Sequence, residues 1–224
     1  MVNPCEIIEG GVSYHIGKIK GKKVCYDFQK MLEYLEIKGK LLSREFKIYP
    51  EDEALLFKLC NYIIADIEQC EKFQMDPKKG LLISGPVGCG KTSILKLLRH
   101  LVPHQKAYQV IPSRNIVFSF NHLGYKTIED YGNSGYLCMD DLGVEPMGRY
   151  YGQECNVIGE ILLSRYELFL NHNVRTHAST NLIAEELEER YGKRVRSRMR
   201  ELFNLVAFDQ NAQDKRGTIH TNKK

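Results

Sequence analysis

From Pro50 onward, apolar positions alternate between helical and extended spacing. Pro50-Glu51-Asp52-Glu53 is a helix start with acids in its first turn. Leu55, Leu56, Leu59, Ile63, Ile64 and Ile67 then keep helical spacing to about Glu71. A loop at Asp76-Pro77-Lys78-Lys79-Gly80 leads into an apolar run at Leu81, which predicts a strand. A helix is predicted over Ser93–Leu101, stopped by Pro103, followed by a strand at Ile116–Phe120 and a short helix or loop through Tyr131. Tyr136–Met139 and Arg175–Ser179 predict further strands, with a helix at Val157–Leu170 between them. Ala184–Arg190 and Arg194–Phe203 predict two more helices, and Leu205–Phe208 a last strand. This alternation predicts an α/β fold with a central parallel sheet covered by helices on both faces. Residues 49–224 would form that domain. Residues 1–48 carry short strand signals at Val12–Ile19 and Lys23–Asp27 and helical spacing over Phe28–Ile37, and predict a short N-terminal extension.

A length of 224 residues suits one such domain with its extension. No apolar run reaches the roughly 20 residues that span a bilayer. The start MVNPCEIIEG has no basic or apolar leader pattern, so a cytoplasmic location without membrane attachment is expected. Seven scattered cysteines form no C-x-x-C pair, which argues for reduced thiols rather than a disulfide framework or zinc ribbon. Net charge is only +4, yet Arg190–Arg200 holds six basic residues and no acid, directly after four acids in Glu185–Glu189. A local basic face is therefore expected.

The chemistry enters at Leu81–Thr92, LLISGPVGCGKT. Gly85, Gly88, Gly90, Lys91 and Thr92 fill the fixed positions of the G-x-x-x-x-G-K-[ST] phosphate-binding loop. Glycine lets backbone N–H groups turn toward phosphate oxygens with no Cβ in the way. The loop residues Gly85, Pro86, Val87, Gly88, Cys89, Gly90, Lys91, Thr92 and Ser93 are thus the candidate ATP-binding set. Lys91 would reach the β- and γ-phosphates and the Thr92 hydroxyl would ligate Mg²⁺. Tyr136-Leu137-Cys138-Met139-Asp140-Asp141 is an apolar strand ending in two carboxylates. Asp140 would hold Mg²⁺ and Asp141 would act as general base on the attacking water. At the end of another strand, Thr180 or Asn181 would face the γ-phosphate or cap the next helix. Arg194 and Arg198, four apart, share a helix face, from which an arginine could reach a neighbouring subunit's γ-phosphate. Arg216 could reach the nucleotide of its own subunit.

On these residues the chain resembles the AAA+ ATPases of the DnaC/IstB type, the bacterial helicase loaders and transposition helper proteins. The resemblance spans Tyr49 to Arg216 and rests on GPVGCGKT, LCMDDLG, ILLSRY, STNL, YGKRVRSRM and Asp214-Lys215-Arg216. It implies a P-loop NTPase fold of the AAA+ type, with Asp140 as the Mg²⁺ aspartate and Asp141 as the catalytic acid. Asn181 falls in the sensor-one turn, Arg198 at the arginine finger with Arg194 beside it, and Arg216 at the sensor-two arginine. Arg165 matches a position near the subunit interface. Two features depart from the family's pattern: the short residues 1–48, without metal-ligand spacing, and the segment Tyr150–Asn156.

The function expected is ATP binding and hydrolysis by an oligomer acting on DNA, in replication or mobile-element biology. ATP and Mg²⁺ would sit between subunits with Arg198 acting in trans, and a replicative helicase or transposase would be the partner. A nucleotide-gated adaptor with little or no hydrolysis is the alternative. A small-molecule kinase would need a substrate lid in place of the sensor and arginine set.

Overall fold

The computed structural model describes residues 3–21 and 23–216. The expected 49–224 domain therefore ends, in residues 217–224, outside the described residues. Contacts divide the chain into two compact units. One contains Met1–Pro77 and Ser93–Ala107, the other Lys78–Thr92 and the chain from Tyr108 on.

The first unit holds two antiparallel hairpins, β1 (Glu6–Glu9) with β2 (Val12–His15) and β3 (Gly17–Lys20) with β4 (Lys23–Tyr26). The single strand expected over Val12–Ile19 is thus two. The chain turns at buried Ile16, whose N–H donates to the Cys5 carbonyl and whose carbonyl accepts from the Asp27 N–H. Helix α1 (Phe28–Leu42) is capped by the Asp27 carboxylate. The helix expected from Pro50 to Glu71 breaks into α2 (Glu53–Ile63) and α3 (Ile67–Lys72). Left-handed Ala65 (φ 55°) ends one, and the Asp66 side chain accepts the Gln69 N–H at 3.1 Å to start the next.

The second unit is built on β5 (Gly80–Ser84), β6 (Gln109–Pro112), β7 (Leu137–Leu142), β10 (Thr176–Thr180) and β11 (Phe203–Ala207). Their order across the sheet is β11-β5-β10-β7-β6, and every neighbouring pair is parallel. Central strands read as near-continuous apolar runs because both faces are covered; Leu81, Leu82 and Ile83 of β5 and all of β10 are buried. On one face, α5 (Ser113–Leu123), α7 (Val157–His172) and α8 (Ala184–Leu202) share a core that includes Ile116, Val117, Phe120, Ile161, Leu162, Val195 and Met199. Helix α6 (Tyr125–Gly132) packs on α5 and α7.

Two expectations fail here. Ile116–Phe120 is not a strand but the middle of α5; its β-branched and aromatic content mimics a strand, whereas Ile116, Val117 and Phe120 bury one helical face. The strand that belongs at this point is β6, unexpected because it is short, half-exposed and ends in Pro112. An edge position tolerates all three properties. The segment around Tyr150–Asn156 forms a hairpin of β8 (Gly148–Tyr150) and β9 (Gln153–Cys155), turned through left-handed Tyr151 and Gly152. The two helices expected on either side of residue 192 are the two halves of α8, which Gly192 (φ 83°, ψ 159°) interrupts.

Within the sheet, buried His177 accepts the Leu81 N–H on Nδ1 at 3.1 Å. Burial, with Arg175 and Arg165 adding to it, pulls its pKa down to about 3. The folded chain therefore keeps His177 neutral while the unfolded chain protonates it near pH 6.5. Its stabilising contribution is complete above that pH and falls by about 1.4 kcal/mol per unit as pH drops toward 3. Urea denaturation from pH 7 to pH 4 should show this slope, and a His177→Asn chain should lose it. Identical slopes in the two proteins would contradict the assignment.

Candidate functional site

Strands β5, β7 and β10 all point their C-terminal ends to one edge of the sheet, where parallel α/β sheets bind ligands. At the end of β5 the chain enters the loop Gly85–Gly90 and then α4 (Lys91–Leu98). Gly88 (φ 83°) requires the left-handed region, and its absent Cβ would lie 2.0 Å from the Asp214 Oδ1. Lys91 is only 5% exposed. Its ammonium donates to the carbonyls of Gly85 and Pro86 at 2.8 Å each, and to the Asn181 Oδ1. Cys89 is buried with its Sγ 3.9 Å from the same nitrogen. Burial lowers the Lys91 pKa, against the opposing pull of Cys89, Asp141 and Asp140. Val87 is exposed at the loop surface, and Gly90 (φ 108°), Thr92 and Ser93 bring the chain into α4.

The Thr92 hydroxyl donates to the Asp140 Oδ1 at 2.9 Å, joining the phosphate loop to β7. The same oxygen accepts the Ser179 hydroxyl of β10 at 2.6 Å, and Ser179 Oγ accepts the Asp141 N–H at 2.9 Å. Ser113, first residue of α5, donates to the Asp140 carbonyl at 2.8 Å. Asp141 has a left-handed backbone (φ 55°), a conformation Asp tolerates at modest cost. Burial, and then the neighbouring Asp140 charge, raises its pKa, while Lys91 and Arg216 work against the shift. A hydroxyl and a carboxylate oxygen converging this closely form the hard-oxygen pair that Mg²⁺ takes alongside phosphate and water. Among the described residues no group of three His, Cys, Asp or Glu side chains could hold a metal, so any ion here must take its remaining ligands from the nucleotide and solvent.

Solved structures share the overall arrangement of this chain. The DnaC helicase loader superposes with a TM-score of 0.53 at 19% identity, over 75% of this chain and 96% of that one. The replication initiator DnaA, bound to AMPPCP and single-stranded DNA, gives a TM-score of 0.51 at 15% identity, over 75% of this chain and 49% of that one. The likeness is one of fold: a parallel sheet flanked by helices, as in these AAA+ proteins. No protein-family model matches the sequence, and no curated protein matches it. Among the described residues no helix is long and apolar enough to cross a membrane, and all seven cysteines are free thiols.

In this fold, Asn181 is brought against Lys91, whereas Thr180 is not a free sensor. Its buried hydroxyl donates to the Leu142 carbonyl at 2.8 Å and accepts the Leu182 N–H at 3.0 Å, tying the end of β10 to that of β7. Neither residue caps α8, which is preceded by Ile183; there the Glu186 side chain accepts the Ile183 N–H at 2.9 Å. Arg216 lies close enough for its charge to act on both Lys91 and Asp141. It is paired with Asp214 at 3.2 Å, and the Lys215 N–H holds this segment to the Gly88 carbonyl at 3.1 Å. Arg198 makes no contact with the loop in its own chain. Its guanidinium lies 4.5 Å over the Tyr166 ring and 3.4 Å from Glu201. Arg194 stands exposed on the same half of α8.

Arg165 is implied by the resemblance to lie near the subunit interface. It is fully buried and serves the interior of its own chain, donating to Thr176 Oγ1 and to the carbonyls of Tyr131, Ser134, Gly135 and Arg175. Ser179 and Ser113, which join the two strand ends, are unmarked in the sequence. Ser179 stands within the quoted STNL turn, but only the fold places its hydroxyl between the Asp140 carboxylate and the Asp141 N–H.

Proposed function

We propose that this chain binds and hydrolyses ATP with Mg²⁺ as an oligomeric AAA+ factor acting on DNA, of the helicase-loader or transposition-helper kind. The observation that carries the reading is the union of Thr92, Asp140, Ser179 and Asp141 beside Lys91 and Asn181 at one edge of the sheet. Loop N–H groups from Gly85 to Ser93 cradle the phosphates, and Lys91 exchanges its two loop carbonyls for β- and γ-phosphate oxygens. Thr92 and Asp140 would hold Mg²⁺, which would supply neutralisation of the phosphate charge. Asp141, with its raised pKa, takes the proton of the attacking water, and Asn181 orients that water or the γ-phosphate. Arg216 contributes charge from its own chain and Arg198 from a neighbour, so turnover depends on assembly.

The basic half of α8 and the likeness to DnaC and DnaA support DNA as substrate. Residues 1–48 are the proposed docking segment for a replicative helicase or transposase, and residues 49–224 the ATPase domain, in the cytoplasm.

Equilibrium binding of a fluorescent ATP analogue with Mg²⁺, and ATP turnover with and without DNA, test the reading. Lys91→Ala should weaken binding at least about tenfold, the scale of one charge-assisted phosphate contact. DNA affinity should fall steeply with salt as backbone contacts are lost. Binding without turnover under every DNA and partner condition would select the adaptor instead. No nucleotide binding would reject both.

A further inference from the structure

The turn after Asp141 is held by a carboxylate that the chemistry above does not use. Glu145 is 4% exposed. Its Oε2 accepts the Gly143 N–H at 2.8 Å, and its Oε1 accepts the Tyr191 hydroxyl at 2.7 Å. Arg190 donates to the Glu145 carbonyl and lies 3.5 Å from Oε1. A carboxylate at this depth persists only against fixed donors, and here a backbone amide, a phenol and a guanidinium converge on one residue. Burial and the Glu145 charge raise the Tyr191 pKa, so the phenol remains a donor.

The position of this cluster gives it a role. Left-handed Asp141 is fixed on one side by Ser179 through its N–H. Gly143 (φ 98°) closes on Leu182, whose Cδ1 lies 2.2 Å from where a Cβ would stand, so the turn fits one arrangement. On the other side Glu145 ties Gly143 to Arg190 and Tyr191, and the Tyr191 hydroxyl also meets the Gly143 N–H directly. Those two residues immediately precede Gly192, the break in α8 beyond which Arg194 and Arg198 lie.

We infer that Glu145 is a positioning residue: it fixes the turn that aims Asp141 and couples that turn to the arginine-bearing half of α8. The catalytic half of this inference rests on the proposed role of Asp141; the coupling half does not. Two variants of the full chain separate them, Glu145→Gln, which removes the charge, and Tyr191→Phe, which removes the phenol's bonds to Glu145 and Gly143 and keeps the Arg190 pair. Amide hydrogen exchange without nucleotide should speed up together over residues 141–145 and 193–199, with residues 85–92 unchanged. The effect should be larger in Glu145→Gln and still present in Tyr191→Phe. Faster exchange confined to residues 141–145 overturns the coupling, as does unaltered exchange in both variants.

In the turnover assay, Glu145→Gln should lower ATP hydrolysis about tenfold, the scale of a slightly misaimed group, while ATP affinity stays within about twofold. In an Asp141→Asn background the same change should cost nothing further, because Glu145 acts through Asp141. A full additional loss in that background overturns the positioning role. A wild-type chain with no turnover at all removes the general-base reading of Asp141, and with it the catalytic half. The exchange measurement then still decides the coupling.

Discussion

Asp141→Asn is expected to reduce ATP turnover by roughly two to four orders of magnitude, the range that a positioned general base contributes. ATP affinity should stay within a few-fold, since the carboxamide keeps the size and removes only the basic oxygen. The environment explains why this carboxylate and not its neighbour carries the effect. Asp140 is engaged by Thr92 and Ser179, both on its Oδ1, so that oxygen is committed. Asp141 is fixed through its backbone, and burial beside Asp140 raises its proton affinity. Under the proposed trans arrangement, Arg198→Ala should cause a similar loss for a different reason, since its guanidinium faces Tyr166 and Glu201 of its own chain and would serve a neighbour's nucleotide. Mixing equal amounts of the two inactive proteins should restore about a quarter of the interfaces, those pairing an intact Asp141 with an intact Arg198 across a head-to-tail contact. A mixture as inactive as its parts would exclude the trans arrangement.

Legibility from the sequence followed how local each signal is. The phosphate loop and the β7 carboxylates were readable because a strand, a turn and a charged ending fall within a dozen or so consecutive positions. The break at Gly192 was readable for the same reason, as a gap between two helical patterns. Strand β6 was not, since an edge strand needs little apolar sequence and can end in proline. Helix α5 was mistaken for a strand because Ile116, Val117, Phe118 and Phe120 carry strand-like residue types, and only packing shows which side they bury. Ser179, Glu145 and Arg165 each have partners 30 or more positions away, for example Ser179 with Asp140 at a separation of 39, Glu145 with Tyr191 at 46 and Arg165 with Ser134 at 31. Nothing in a local window marks such residues, and a buried arginine reads as an exposed one.

Arg165 makes that last point measurable. Its guanidinium fills a pocket at the N-terminal ends of β7 and β10, away from the nucleotide edge, with the Ser134 carbonyl at 2.7 Å, Thr176 Oγ1 at 2.9 Å and the Gly135 carbonyl at 3.0 Å. Burial lowers its pKa to about 10, which leaves it charged at neutral pH with carbonyl dipoles as its main counterparts. Arg165→Met keeps the stem and removes every donor, so several buried carbonyls lose their partners at once. Stability should fall by about 3–5 kcal/mol, since each buried acceptor left unpaired costs on the order of 1–3 kcal/mol. For a chain of this size that corresponds to a Tm lowered by roughly 6–20 °C. Arg165→Lys should recover only part of the loss, because one ammonium cannot span acceptors arranged around a planar fork. Below the new transition, nucleotide affinity should be close to that of the original protein, since the loop, Asp140 and Asn181 lie at the opposite ends of the same strands. An Arg165→Met chain with unchanged Tm but defective assembly would instead return this arginine to the subunit interface.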